Sequence, residues 1–188
     1  EQARLRAEGR YLGIGVVNYV EATATVPHES AIVRVGADGG VTVVSGAAPQ
    51  GQGHVTMFSH LVGDLLGIDP NTINVHTGDS ALIAQGGGTY GSRTAAIGGS
   101  AALLAGRAVR EKAMRIAAHL LEASAADIVC DGGTFSVRGL PSRTVGWLEV
   151  AVAAQLEAHV GGARIARRLH HPCVEATAAA PRRAAASS

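Results

Sequence analysis

A long alanine-rich run, Thr94 to Glu122, constrains the fold most, because it predicts a single extended helix. Gly98 and Gly99 interrupt this helix near its start, at a cost of roughly 1 kcal/mol each relative to alanine. We therefore expect another group to approach the backbone at that point. The larger apolar residues recur at helical spacing and predict one buried stripe, formed by Val109, Ala113, Ile116, Ala117 and Leu120.

The residues before this helix contain three stretches typical of β-strands. Gly13–Thr25 is rich in β-branched residues and alternates loosely between apolar and polar side chains. Ala31–Val35 and Val41–Ser45 alternate more cleanly. Ala37–Gly40 lies between these two stretches and ends in two glycines, which tolerate positive φ and favour a tight turn. The pattern predicts a β-hairpin.

A helix and a short strand are predicted next. Gly67 follows a set of apolar residues at helical spacing and supplies a C-terminal stop. Asp69-Pro70-Asn71 then predicts a turn, and Ile73–His76 a short strand. The apolar residues on the helical face are Met57, Phe58, Leu61, Val62 and Leu65.

The two ends of the chain add smaller elements. Glu1–Gly9 is typical of the last turns of a helix that ends at a glycine. Ile128–Cys130 and Thr134–Val137 flank a glycine-containing turn and predict a second hairpin. Ser142 is the expected N-cap of a further helix, Val145–Leu156.

These elements predict an α+β fold, with a mixed, largely antiparallel sheet and helices packed against it, including the one long Ala-rich helix. Residues 1–155 are expected to form the folded domain. Residues 156–188 are expected to form a disordered tail, because their composition shifts towards alanine and arginine. An arginine-rich run of this kind is more often solvated than bound to a partner.

Composition excludes several classes of function. The formal net charge is +1, so the chain as a whole carries no electrostatic footprint for nucleic acid. No apolar run approaches the ~20 residues of a membrane span, and we expect a soluble, cytoplasmic protein. Cys130 and Cys173 have neither zinc-ligand spacing nor the density of a disulfide scaffold. The eight histidines are scattered, so no direct protein–metal site is expected.

Two glycine-rich loops, each leading into a helix, are the segments best suited to bind a ligand. Pro49–Thr56 ends at a predicted helix start, where free amides and the positive end of the helix dipole favour an anion. Gln85–Thr94 combines hydroxyls, an arginine and backbone amides at a second helix start. It lacks the GK[ST] sequence of a P-loop. Each loop also has a plain structural interpretation: the first as a simple turn, the second as a helix capped by Ser92 or Thr94.

Four motifs together resemble a known family. In chain order the motifs are GQGH followed by a threonine two residues later, HTGDS, GTYGSRT and REKAMRIAAHLLE. Together they look like the large subunit of molybdenum hydroxylases. These are the relatives of xanthine dehydrogenase, aldehyde oxidase and aerobic carbon monoxide dehydrogenase. The resemblance runs from about Arg10 to about Glu149. It implies binding of molybdopterin, in bacteria usually as molybdopterin cytosine dinucleotide with molybdenum held through the cofactor. It nominates as cofactor-binding residues Gln52, Gly53, His54, Tyr90, Gly91, Ser92 and Arg93.

The resemblance also implies partners: the rest of the large subunit, iron–sulfur and FAD-binding subunits or domains, and a small-molecule substrate. The family uses a glutamate base near the far end of the large subunit. Glu149 and Glu157 lack the glycine-flanked pattern of that base, so no catalytic residue is assigned. The chain, which begins at Glu1 without a methionine, is expected to be incomplete and inactive alone.

Two hypotheses of different classes follow. In the first, the chain is the cofactor-binding part of an oxidoreductase. In the second, it is a truncated remnant or a subunit-association domain that binds no cofactor. Under the first hypothesis, Arg93→Ala in the full-length subunit is expected to lower cofactor occupancy far more than folding stability. The first hypothesis also requires Gln52 and Arg93 to share one concave surface.

Overall fold

The computed structural model describes residues 1–24, 28–160 and 174–179 of the chain. Its strands form two separate sheets, and helices occur between groups of strands along the chain. The strands are β1 (Ser30–Val35), β2 (Val41–Ser45), β3 (Asn74–Thr77), β4 (Ile128–Asp131), β5 (Thr134–Val137), β6 (Leu140–Gly146) and β7 (Val174–Ala179). The helices are α1 (Gln2–Ala7), α2 (His54–Leu66), α3 (Gly99–Leu120) and α4 (Trp147–Val160).

The larger sheet has four strands in the order β3-β2-β1-β7. Its centre is the predicted hairpin, in which β1 and β2 pair antiparallel with Val33 opposite Val43. Gly39 has φ of 78°, and the Asp38 carboxylate accepts a hydrogen bond from the amide of Gly40 at 2.9 Å. β3 is parallel to β2, and β7 is antiparallel to β1. The predicted mixed, largely antiparallel sheet is therefore confirmed.

Helices α2 and α3 pack against each other and against this sheet. The alternation of β1 and β2 buries Ala31, Val33 and Val43 completely, and Phe58 of α2 fills the space beside them. α2 ends at Gly67, which has φ of 69° as the sequence predicts. Burial of these side chains supplies the main stabilisation of the domain, at roughly 25 cal/mol per Å² of apolar surface.

The long helix is confirmed, with one addition. A π-helical segment, Thr94–Gly98, precedes α3, so the helical run begins at Thr94. A side chain at Gly98 would meet Phe58 at 3.4 Å, and one at Gly99 would meet Leu61 at 3.2 Å. The expected close approach at these glycines thus comes from α2. In the predicted stripe Val109, Ala113, Ile116 and Ala117 are buried, but Leu120 is 36% exposed.

The smaller sheet, β4-β5-β6, is antiparallel throughout and joins the same hydrophobic core. The predicted hairpin of its first two strands is confirmed. The helix predicted from Val145 is wrong at its start, because it begins at Trp147. Val145 belongs to β6 instead, where it pairs with Phe135 of β5. The Trp147 indole N–H donates to the carbonyl of Leu66 at 3.0 Å, tying α4 to the end of α2.

The strand predicted at Gly13–Thr25 does not form over residues 13–24, and Thr25 lies outside the described residues. β-branched residues favour a strand only when a neighbouring strand and a packing surface are present. Here the segment has no regular secondary structure and is mostly exposed to solvent. Its exposed apolar residues, together with those just before it, are Tyr11, Leu12, Ile14, Val16, Val17, Tyr19 and Val20.

The structure describes part of residues 156–188, for which the sequence predicts a disordered tail. α4 continues to Val160, and Val174–Ala179 forms β7 against β1. The rest of that range, with Cys173, lies outside the described residues. Over the part of the chain that the structure describes, no helix is both long enough and apolar enough to cross a membrane.

Candidate functional site

The two glycine-rich loops meet at one cavity of about 520 Å³. Gln52 and Arg93 both line it, so the shared concave surface that the sequence hypothesis required is present. The Gln50 side-chain amide donates to the carbonyl of Thr89 at 3.4 Å and joins the two loops directly. The lining residues are Glu21, Gln50, Gln52, His54, Met57, Thr89, Tyr90, Gly91, Ser92, Arg93, Thr94 and Ala95.

The first loop delivers the N-terminus of α2 to this cavity. Gly53 is the N-cap, with φ of 77°, and Gly51 has φ of 101°. A side chain at either glycine would meet no atom within 4 Å, so their conformation rather than crowding requires glycine. No side chain caps α2. The amides of its first turn, which have no partner within the helix, therefore remain donors for an anion.

The Gln52 side chain is held by its neighbour. Its carbonyl oxygen accepts from the Gln50 amide N–H at 2.6 Å, and its Nε2 donates to the Gln50 side-chain oxygen at 3.3 Å. Sequence reasoning passed over Gln50, although an amide side chain beside two glycines is the type of residue that can both donate and accept. Both glutamines are exposed at the cavity.

His54 is the most unusual polar residue of the first loop. It is only 5% exposed, and its ring lies edge-on to Phe58 with centroids 6.3 Å apart. Its Nδ1 has no hydrogen-bond partner among the residues that the structure describes. A buried polar atom without a partner is costly, roughly 1–3 kcal/mol, and the His54 side chain forms part of the cavity wall.

The second loop presents Tyr90, Gly91 and Ser92 to the cavity. Gly91 and Ser92 have φ of 56° and 45°, which bends the chain sharply before the π-helical segment. The Ser92 hydroxyl donates to the Glu21 carboxylate rather than capping the helix, and Thr94 contacts the Thr89 hydroxyl at 3.3 Å. No side chain caps the π-helical segment, so the alternative in which Ser92 or Thr94 is an N-cap is wrong.

Arg93 is placed differently from the other nominated residues. It is 1% exposed, and its guanidinium lies 2.8 Å from the Glu29 carboxylate in a fully buried ion pair. It also donates to the carbonyls of His28 and Gly88. Its guanidinium carbon lies 5.6 Å from the centre of the Tyr90 ring. The Arg93 side chain thus reaches the cavity wall, but these hydrogen bonds are all made within the protein.

Two acidic residues near the loops were missed in the sequence analysis. Glu21 lines the cavity, and Glu29 neutralises Arg93. The sequence contains one indication that Glu29 has a structural role: it is a charged residue directly before the alternating apolar strand β1. Its partner is 64 positions away in the sequence, and the spacing gives no indication of that contact.

The cavity wall is neutral apart from the Glu21 carboxylate, which accepts from the Ser92 hydroxyl. The positive charge of Arg93 is compensated by Glu29, and the remaining donors are amides, hydroxyls and a histidine ring. Throughout the described residues, no three histidine, cysteine, aspartate or glutamate side chains are grouped so that they could hold a metal ion.

The fold and cavity together define an α+β domain that offers a helix N-terminus and neutral donors to a ligand. A family model described as a molybdopterin cofactor-binding domain matches residues 1–183. The chain belongs to this family, which confirms the resemblance inferred from the four motifs. The match extends well past Glu149, where the sequence analysis placed the end of the resemblance.

Named relatives agree with this assignment. The chain is 38% identical over 164 residues to the nicotine 6-hydroxylase large subunit of Paenarthrobacter nicotinovorans, a match that covers 81% of this chain and 20% of that protein. It is 34% identical over 157 residues to the carbon monoxide dehydrogenase large chain of Hydrogenophaga pseudoflava, covering 76% of this chain and 20% of that one.

Solved structures share the fold as well. Quinoline 2-oxidoreductase from Pseudomonas putida 86 superposes with a TM-score of 0.70 at 34% identity, over 97% of this chain and 24% of that chain. Reconstituted carbon monoxide dehydrogenase from Oligotropha carboxidovorans gives a TM-score of 0.71 at 32% identity. The match covers 81% of this chain and 18% of that chain. The chain thus spans about a fifth of the length of the relatives that it matches.

Proposed function

We propose that the chain is the part of a molybdenum-dependent oxidoreductase large subunit that binds molybdopterin cytosine dinucleotide. The observation that carries the proposal is the convergence of the two family-like loops, with Gln52, His54 and Tyr90–Ser92 lining one cavity. When bound, the cofactor supplies the two-electron redox chemistry, and the protein supplies binding and orientation.

The residues present fit such a ligand. A pyrophosphate can be bound at a helix N-terminus, and the start of α2 offers amides and a dipole for it. Gln52 can donate to phosphate oxygens or to pterin atoms. We propose that a ligand atom supplies the partner that the buried Nδ1 of His54 lacks. We assign direct contacts to Gln52, Gly53, His54, Tyr90, Gly91 and Ser92. Arg93 contributes through the loop.

The same proposal includes partners. The chain spans about a fifth of its relatives, and residues 11–20 expose a continuous apolar surface that a domain of this kind normally covers. We propose that further large-subunit residues cover this segment, and that iron–sulfur and FAD-binding subunits or domains exchange electrons with the cofactor. The relatives' printed names suggest an N-heterocycle or carbon monoxide as substrate class, and we propose that the selecting residues lie outside this chain.

We assign no catalytic base in this chain. Glu149, one of the two glutamates considered from sequence, accepts a hydrogen bond from the amide of Gly146 at 3.0 Å, directly before α4. Its carboxylate is thus occupied at a helix start. The side chain of Glu157 lies outside the described residues. On this proposal the chain alone does not turn over substrate.

Metal and nucleotide analysis tests the proposal. The chain, purified from a host that makes molybdopterin cytosine dinucleotide, is expected to carry molybdenum, measured by mass spectrometry, with a matching amount of cytidine nucleotide released on denaturation. Molybdenum without cytidine would contradict the dinucleotide form. A well-folded chain that contains neither would instead favour the remnant or subunit-association alternative.

His54→Phe is expected to lower the molybdenum content about tenfold, because it removes the Nδ1 atom that we assign to the ligand. The aromatic contact with Phe58 is kept, so the free energy of unfolding is expected to stay within about 1 kcal/mol of wild type. Metal content and urea denaturation measure the two effects. His60→Phe, the same change at an exposed position of α2, is the control and is expected to alter neither. Equal molybdenum content in both variants would contradict the role of His54.

A further inference from the structure

The buried ion pair behind the second loop is the feature that the proposed function leaves unexplained. We infer that Glu29 and Arg93 are a pair of positioning residues that fix residues 85–92 in the conformation that binds the cofactor, without contacting the cofactor themselves. This inference rests on the proposed function, since it names the residues that shape the same site.

Glu29 uses both carboxylate oxygens within the protein. Its Oε1 accepts from the amide of Ser30 at 3.1 Å. Its Oε2 accepts from the amide of Gly87 at 3.1 Å and from Nη1 of Arg93 at 2.8 Å. The Glu29 side chain is fully buried, and these three donors offset the cost of removing a charge from water. The carboxylate therefore links the start of β1 to the second loop.

Arg93 closes the link from the other side. Its guanidinium donates to the carbonyl of His28, next to Glu29, and to the carbonyl of Gly88 within the loop. The Gly87 backbone lies close against the guanidinium, because a side chain there would come within 2.5 Å of Nη2. A side chain at Gly87 would therefore require Arg93 to shift. The loop is thus attached to the start of β1 at two consecutive residues. Gly87 is bonded to Glu29, and Gly88 is bonded to Arg93, which is in turn paired with Glu29.

The attachment bears directly on the cavity residues. Tyr90, Gly91 and Ser92 lie between the attached Gly88 and the buried side chain of Arg93, and two of them have positive φ. Arg93 also lies near the face of the Tyr90 ring. A strained turn persists only when its surroundings determine it. The ion pair fixes both ends of this turn, which makes it the structural cause of the geometry at the cavity.

Hydrogen exchange of the full chain tests the inference. Glu29→Gln keeps the shape of the side chain but replaces one acceptor oxygen by a donor, so the contacts to Ser30, Gly87 and Arg93 cannot all persist. The amide of Gly87, which donates to Glu29, is expected to exchange at least about tenfold faster, while those of α2 and β2 change by less than about twofold. Arg93→Lys, which keeps the charge but lacks the planar fork, is expected to act in the same direction.

Glu8→Gln is the matched control, because it makes the same change in an exposed ion pair with Arg4 and is expected to leave exchange unaltered. Cytidine 5′-diphosphate serves as the ligand probe, and both loop variants are expected to bind it at least about tenfold more weakly than wild type. Unaltered exchange at Gly87 in Glu29→Gln and Arg93→Lys, or an equal increase throughout the domain, would overturn the inference. Wild-type chain that binds no cytidine 5′-diphosphate would count against the proposed function, and the exchange pattern would still decide the positioning role.

Discussion

Replacing Arg93 by alanine is expected to lower the free energy of unfolding by about 3–5 kcal/mol, because it leaves the Glu29 carboxylate buried without its cation. Both side chains are fully buried, and the guanidinium also satisfies the carbonyls of His28 and Gly88. Urea denaturation followed by far-UV circular dichroism measures the loss. The buried position changes the expectation drawn from sequence: stability and cofactor occupancy are now expected to fall together.

Arg143→Ala is the control for this substitution. Arg143 approaches Glu122 at 3.9 Å on the surface, with half of its side chain exposed. Solvent screens such a pair, so the expected loss is below about 1 kcal/mol. An Arg93→Ala chain that unfolds at the same urea concentration as the Arg143→Ala chain would contradict the importance assigned to the buried pair. A double variant, Arg93→Ala with Glu29→Gln, is expected to recover part of the loss, because no full charge then remains buried.

Local patterns predicted most of the fold. The β1–β2 hairpin, α2 with its stop at Gly67 and the long helical run each follow from residues close together in the sequence. Turn glycines and apolar spacing act over a few residues, which is the range that sequence reasoning covers. The predicted start of α4 was wrong because it depends on a contact beyond that range. Val145 is part of β6, where it pairs with Phe135, ten positions away.

Features that depend on distant partners were not predictable. Residues 13–24 have strand-like composition, yet the described part of the chain gives them no neighbouring strand. Arg93 has the chemistry of a phosphate ligand, and only the position of Glu29 shows that its charge is used internally. The nominated residues Gln52, Gly53 and His54 lie where the motif predicts, at the start of α2. Their roles as ligands stay a prediction.

Close contact between two backbones gives the second large effect. Gly46, directly after β2, lies against Gly86 of the second loop, and a side chain at Gly46 would come within 2.3 Å of the Gly86 Cα. It would also come within 2.8 Å of the Glu29 carboxylate and 3.0 Å of the Gln85 carbonyl. Neither backbone can move aside without disturbing the ion pair or the end of β2. Gly86 of the second loop thus serves the packing of that loop against the end of β2.

Gly46→Ala is therefore expected to lower the free energy of unfolding by about 3 kcal/mol, at the upper end of the usual cost of overpacking, because backbone rather than a flexible side chain is in the way. It is also expected to weaken binding of cytidine 5′-diphosphate, since the loop moves away from α2. Urea denaturation and calorimetric titration measure the two effects. Gly13→Ala is the matched control, because a side chain there meets no atom within 4 Å and its φ is ordinary, and it is expected to change stability by less than about 0.5 kcal/mol. If both alanine variants are equally stable, the second loop is not held against β2 by backbone contact, and its shape has another cause.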